Sequence, residues 1–212
     1  MGNYITMAKA TAAARAMLGE SMLRNGGLVQ AHGTGTPQNR TSESRILSET
    51  AKAFGISAWP VAALKCYLGH SLGSASGDQV TATLGIWAEG VIPGITTINA
   101  LADDVCRDNL SFTLQHRAID PSAQGYAIIN SKGFGGNNAS ATLLSPTATA
   151  KMLQARHGSR AWQDWEQRNE AVLATQREYD DDAIAGRVAP TYRFDFGVLG
   201  DTDVQHTAQS MR

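Results

Sequence analysis

Net charge is almost absent from this chain. Its 212 residues carry 18 Lys and Arg against 19 Asp and Glu, a formal net charge of −1. That balance gives no electrostatic reason to expect nucleic acid or an anionic membrane as a partner. Charged residues make up only 17% of the chain, below the usual quarter. Cysteine is scarce as well. Cys66 and Cys106 are the two present, too few for a disulfide framework, and reduced thiols in a cytoplasmic protein are the simpler reading. No segment approaches the roughly 18 consecutive apolar residues of a membrane span. Met1 to Met22 lacks the uninterrupted apolar stretch of a secretory signal. Met1-Gly2-Asn3-Tyr4-Ile5-Thr6 fits the loose myristoylation pattern, but nothing nearby supplies the second membrane signal that stable anchoring needs. The triplets at Asn39, Asn109 and Asn138 match the glycosylation pattern and carry no weight without secretion.

What the chain does have is apolar content, 42%, and 21 glycines, a balance suited to a packed α/β domain. Thr6 to Leu23 reads as a helix, with Met7, Ala10, Ala14, Met17 and Leu18 on one stripe and Asn25-Gly26-Gly27 as its stop. Leu28–Ala31 reads as a buried strand. A helix over Ser42 to Phe54 follows, with Thr41 or Ser42 as its cap and Gly55 past its end. Val61–Leu64 is a second strand, and Gly77 to Glu89 a helix with Val80, Thr83, Leu84 and Trp87 inward. Ala100 to Ser111 reads as loop, and Tyr126–Asn130 and Ala139–Leu144 as the closing strands. This alternation argues for a layered α/β fold with well-buried strands.

Composition turns polar after Ser145-Pro146-Thr147. The division is thus residues 1–145 as the folded domain and 146–212 as a C-terminal extension. The extension reads as one helix over about 149–179, with Trp162, Trp165, Val172 and Leu173 as its contacts, ended by Asp180-Asp181-Asp182. An alternating aromatic strip, Tyr192 to Phe196, lies beyond it.

Two histidines stand in glycine-rich turns: Ala31-His32-Gly33-Thr34-Gly35-Thr36-Pro37 and Lys65-Cys66-Tyr67-Leu68-Gly69-His70. Each follows a predicted strand, and in open α/β sheets the carboxyl ends of strands build the ligand site. A neutral imidazole donates from one ring nitrogen and accepts at the other. Two such rings aimed at one point would stabilise an oxyanion. A third glycine-rich turn, Gly133-Phe134-Gly135-Gly136-Asn137-Asn138, joins the last two strands.

The ordered set His-Gly-Thr-Gly-Thr-Pro, Lys-x-x-x-Gly-His and Gly-Phe-Gly-Gly-x-Asn resembles the C-terminal half of a β-ketoacyl-[acyl-carrier-protein] synthase. These are condensing enzymes of the thiolase-like superfamily. The resemblance covers roughly Thr6 to Leu144. It implies half of a thiolase-like fold, a mixed sheet covered by helices, with the helical and irregular extension outside the common pattern. It implies a decarboxylative Claisen condensation of an acyl thioester with a malonyl group, the substrates carried on the phosphopantetheine of acyl carrier protein or on CoA, with no further cofactor and no metal.

Carried over by position, His32 and His70 match the two family histidines, Lys65 the family lysine, and Glu43 the acidic residue paired with it. Thr34 and Thr36 match the threonines that hold the pantetheine arm. Phe134 matches the gating phenylalanine, with Gly135 beside it, and Asn138 the asparagine that closes the loop motif. A lysine near the site would help keep the histidines neutral. Arg40 and Lys132 depart from the family pattern: Arg40 replaces a frequent Asp, and Lys132 a residue more often apolar or small. The family's nucleophilic cysteine belongs to the N-terminal half, and neither Cys66 nor Cys106 stands in its place. The resemblance therefore implies a chain inactive by itself, a complementary N-terminal half as partner, and a homodimeric enzyme. Two other readings stay open: a non-catalytic, chain-length-factor type subunit, and a fragment of a polyketide synthase.

Overall fold

The computed structural model describes residues 2–189 together with Gly197 and Gly200; the aromatic strip Tyr192 to Phe196 lies outside the described residues. The elements run in the order α1 (Gly2–Asn25), β1 (Gly27–Gln30), α2 (Pro37–Ala53), β2 (Trp59–Ala62), α3 (Lys65–Leu68), α4 (Ala75–Glu89), β3 (Val91–Ile92), β4 (Leu110–Phe112), β5 (Arg117–Ala118), β6 (Tyr126–Lys132), β7 (Asn138–Leu144), α5 (Pro146–His157) and α6 (Ser159–Ile184).

Five strands form one mixed sheet in the order β4-β2-β1-β6-β7. β1 pairs in parallel with β2 and β6, β2 with β4, and only β7 runs antiparallel, against β6. β3 and β5 make a separate antiparallel pair.

Strand periodicity divides the core in two. Val29 and Ala31, Trp59 and Val61, and Tyr126 and Ile128 join Met7, Ala10 and Ala14 of α1 and Leu47 and Ala51 of α2 on one face. Leu28, Ala62 and Ala127 meet Ile86 and Trp87 of α4 and Ile92 on the other. Helices therefore cover both faces, as a sheet of mostly parallel strands requires. Several polar groups inside this core are hydrogen-bonded. The Tyr126 hydroxyl donates to the Leu23 carbonyl at 2.7 Å, and the Gln79 amide to the Ala31 carbonyl at 2.7 Å.

Several elements depart from the sequence reading. α1 is interrupted at Gly19, at φ 79°, a left-handed value that glycine alone adopts without a Cβ penalty. α2 begins at Pro37, not Ser42. Proline suits the first helical position, where no amide partner is lost. Thr41 and Ser42 are therefore not caps; their hydroxyls donate back to the Pro37 and Gln38 carbonyls one turn earlier. In α4 the inward residues are Gln79, Thr83, Ile86 and Trp87, whereas Leu84 is exposed. The stretch read as loop over residues 100–111 ends in strand β4, which adds the sheet's fourth parallel member.

The single helix expected over 149–179 is two helices broken at Gly158, at φ 83°. The acidic run does not end α6, which continues to Ile184. Arg187 compensates that run by ion-pairing Asp182 at 2.6 Å. By Cα proximity the chain divides into two compact units, Met1–Arg156 and His157–Arg212. In α6 none of the four expected contact residues is buried, and the rings of Trp162 and Trp165 stack on each other, 4.7 Å apart.

Candidate active site

β1, β2 and β6 run parallel, so their carboxyl ends open at the same edge of the sheet. His32 follows β1 by two residues. His70 follows β2 through the short helix α3, and Lys132 is the last residue of β6. A cleft of about 890 Å³ lies at this edge, lined among others by His32, Thr34, Thr36, Lys65, His70, Lys132 and Phe134. The two imidazoles meet there edge to face, with ring centroids 5.1 Å apart.

The turns that present them need glycine. Gly33 has φ +60°, and a Cβ there would stand 3.3 Å from the Ala31 carbonyl oxygen. Gly69, with φ +72°, ends α3 directly before His70. Leu72 takes a positive φ of 57° without being glycine, a strained conformation for a branched side chain. The strain has a local return, because the Leu72 amide donates to His70 Nδ1 at 3.0 Å. His32 is held in the same way, its Nδ1 accepting the Lys132 amide at 3.3 Å. A neutral ring that accepts at Nδ1 carries its proton on Nε2. Both rings are thus fixed as Nε2–H donors by backbone amides.

His32 is 6% exposed. Burial, and next the charge of Lys65, push its pKa from 6.5 down to about 4. It is therefore neutral near pH 7. Burial also lowers the pKa of the Lys65 ammonium.

The pairing of Glu43 with Lys65 expected from the resemblance is not a direct contact: no ion pair joins them among the described residues, although the Glu43 charge acts on the Lys65 ammonium. Its buried carboxylate is instead a hub beneath the histidine turn. Oε1 accepts the His32 amide at 2.7 Å and Asn130 Nδ2 at 2.7 Å. Oε2 accepts the Gly33 amide at 2.9 Å and Asn39 Nδ2 at 2.8 Å. Four donors offset much of the cost of burying the charge.

Asn130, read from the sequence only as the end of a strand, is fully buried and also accepts from Asn3 at 2.7 Å, tying α1 to the hub. The signal that marks it is a lone amide closing the apolar run Tyr126–Ile129.

Thr34 and Thr36 are hydrogen-bonded to each other at 3.3 Å on the cleft wall. Phe134 is 95% exposed at the cleft margin. Gly135 and Asn138 do not line the cleft; Asn138 instead closes its own turn by donating to the Gly136 carbonyl at 2.7 Å. Arg40 forms a two-pronged pair with Asp104 at 2.8 and 2.9 Å. Cys66 lines a different cavity of about 340 Å³, with Ile95, Leu101 and Phe112. Burial pushes the pKa of its thiol up, the reverse of what a nucleophile needs. Among the described residues no cluster of three His, Cys, Asp or Glu side chains is placed to hold a metal, and no helix is long and apolar enough to cross a membrane.

Residues 5–99 match the family model of the β-ketoacyl synthase C-terminal domain. The chain is 42% identical over 210 residues to the β-ketoacyl-[acyl-carrier-protein] synthase FabY of Pseudomonas aeruginosa, covering 99% of this chain and 33% of that protein. The crystal structure of that noncanonical ketosynthase superposes over the whole chain with a TM-score of 0.87. A 3-oxoacyl-[acyl-carrier-protein] synthase 2 of Synechocystis is 36% identical over 112 residues, 52% of this chain and 25% of the relative. The chain thus spans a third or less of the length of these relatives. Motif order, layered α/β fold and these matches together identify a β-ketoacyl synthase C-terminal domain at residues 5–99 and a likeness to FabY along the chain.

Proposed function

We propose that this chain supplies the two-histidine part of a 3-oxoacyl-[acyl-carrier-protein] synthase site. The reaction is a decarboxylative Claisen condensation. The acyl group waits as a thioester on a cysteine supplied by polypeptide outside this chain. A malonyl thioester enters the cleft, and its carboxylate leaves as CO₂. The electron pair of the broken C–C bond becomes an enolate, whose oxygen is met by an Nε2–H donor. The enolate carbon then attacks the acyl thioester carbonyl. That oxygen carries the next negative charge, and its collapse expels the cysteine thiolate and leaves the β-ketoacyl thioester on the carrier.

Neutral donors suit both oxyanions because neither ring has to surrender its proton. Lys65 favours the neutral form of His32. Thr34 and Thr36 hold the pantetheine arm, and Phe134 gates the acyl pocket. Acyl carrier protein delivers the substrate, and the complete enzyme is a homodimer.

One observation carries this reading: two imidazoles in one cleft, 5.1 Å apart, each with Nδ1 engaged by a backbone amide. The chain by itself is expected to show no condensation. Mixing it with the complementary two thirds of a ketosynthase is expected to restore CO₂ release from malonyl thioester. His32→Ala and His70→Ala are each expected to cut the restored rate by about 10²–10³-fold. Restored activity indifferent to both substitutions overturns the proposal.

A further inference from the structure

Lys132 departs from the family pattern, and the condensation described above gives its side chain no task. Its ammonium reaches into the histidine cleft, where it donates to Asn39 Oδ1 at 2.8 Å and to Ser42 Oγ at 3.3 Å. Both acceptors are neutral, and an ammonium has three protons to give. Lys65 lines the same cleft with no hydrogen-bonded or ion-paired partner among the described residues. No Asp or Glu stands among the described lining residues. The charges of Glu43 and Asp78 act on the Lys65 ammonium, but neither carboxylate lines the cleft, and Glu43 is occupied by four other donors. Two positive charges therefore face one cleft with no carboxylate among its described lining residues.

We propose that Lys132 and Lys65 form an anion-binding subsite in the histidine cleft that takes the charged group of the incoming thioester substrate. This rests on the condensing-enzyme reading for the identity of that substrate. Two groups on such a molecule share the required chemistry: the free carboxylate of a malonyl unit and the phosphate of a phosphopantetheine arm. Either one gains charge-assisted hydrogen bonds from Lys132, at a distance from the imidazoles short enough that both lysine charges act on His32. Lys132 then orients substrate by charge where a small or apolar residue does so by shape alone.

The test is binding to the 212-residue chain, followed by the ¹⁵N resonances of His32 and His70. Malonate and inorganic phosphate are the first probes; S-malonyl-pantetheine and S-acetyl-4′-phosphopantetheine then separate carboxylate from phosphate. Binding is expected to weaken with added salt and by roughly fivefold in Lys132→Met, with Lys132→Arg restoring it. Arg40→Gln, whose side chain is paired with Asp104 and does not line the cleft, is expected to bind like the parent. Preference for either thioester supports the subsite and names its anion.

Absence of binding, or equal binding by Lys132→Met, overturns it. No catalytic turnover enters this measurement. Lost condensation with anion binding intact sinks only the functional reading, and restored condensation without anion binding sinks only the subsite.

Discussion

Helices α1 and α6 are close in length, 24 and 26 residues, yet α1 buries six side chains and α6 none. Both contain strong helix formers, and both carry apolar residues at helical spacing. The difference lies in what the apolar positions are. α1 puts Met7, Ala10 and Ala14 on its inner stripe, small or flexible residues that let the helix lie close to β7. The contact is near enough for Thr142 to donate to the Ala10 carbonyl at 2.7 Å. α6 puts Trp165, Val172 and Tyr179 on its stripe, all exposed. Periodicity shows that a helix has a preferred face; only a complementary surface makes that face a core.

The largest expected effect contrasts two tryptophans. Trp59, fully buried in β2, is expected to cost about 3–5 kcal/mol when changed to Ala. Trp165→Ala in α6 is expected to cost about 0.5 kcal/mol or less. Urea unfolding followed by circular dichroism measures both, and equal losses break the comparison.

Next comes the hub under the histidine turn. Glu43→Ala orphans four donors at once and is expected to destabilise the first unit by about 2–4 kcal/mol. It is also expected to broaden the His32 resonance. A loss below about 1 kcal/mol would mean that the hub does not hold the turn.

A third expected effect is a pH dependence. His32 has a folded pKa of about 4 against 6.5 unfolded. Above pH 6.5 the ring is neutral in both states. As pH falls from 6.5 toward 4, the unfolded chain takes a proton that the folded chain refuses, so stability declines across that window. His32→Gln is expected to flatten this part of the profile in unfolding midpoints taken from pH 7 to 4. An unchanged profile would place the ring in solvent.

Much of the site was legible before any coordinates. His32 and His70 stand out because glycine brackets them directly after apolar strands, and strand ends in parallel sheets collect at one edge. Glu43 is legible in the sequence, but its direct hydrogen-bond partners are not. Its partner is decided by where the second turn of α2 lies under the loose amides at the end of β1, a relation between segments that no spacing encodes. Asn130 was missed because it reads as the polar end of a strand. Its role exists only once α1, α2 and β6 meet. Thr41 and Ser42 are good caps in isolation, but α2 starts at Pro37, a residue suited to the first helical position. Leu84 reads as inward on apolar character alone, while Gln79 and Thr83 take the inner face through hydrogen bonds.

By itself the sequence determined the alternation of helices and strands, the family motifs and the chemical kinds of group available, since these depend on neighbours a few residues apart. Only the tertiary structure decided that two imidazoles share one cleft, that Glu43 bonds backbone amides without touching Lys65, and that two ammonium groups face the cleft with no carboxylate among its described lining residues. Those outcomes depend on distances between residues far apart in sequence, and the packing of helices on both sides of the sheet sets them.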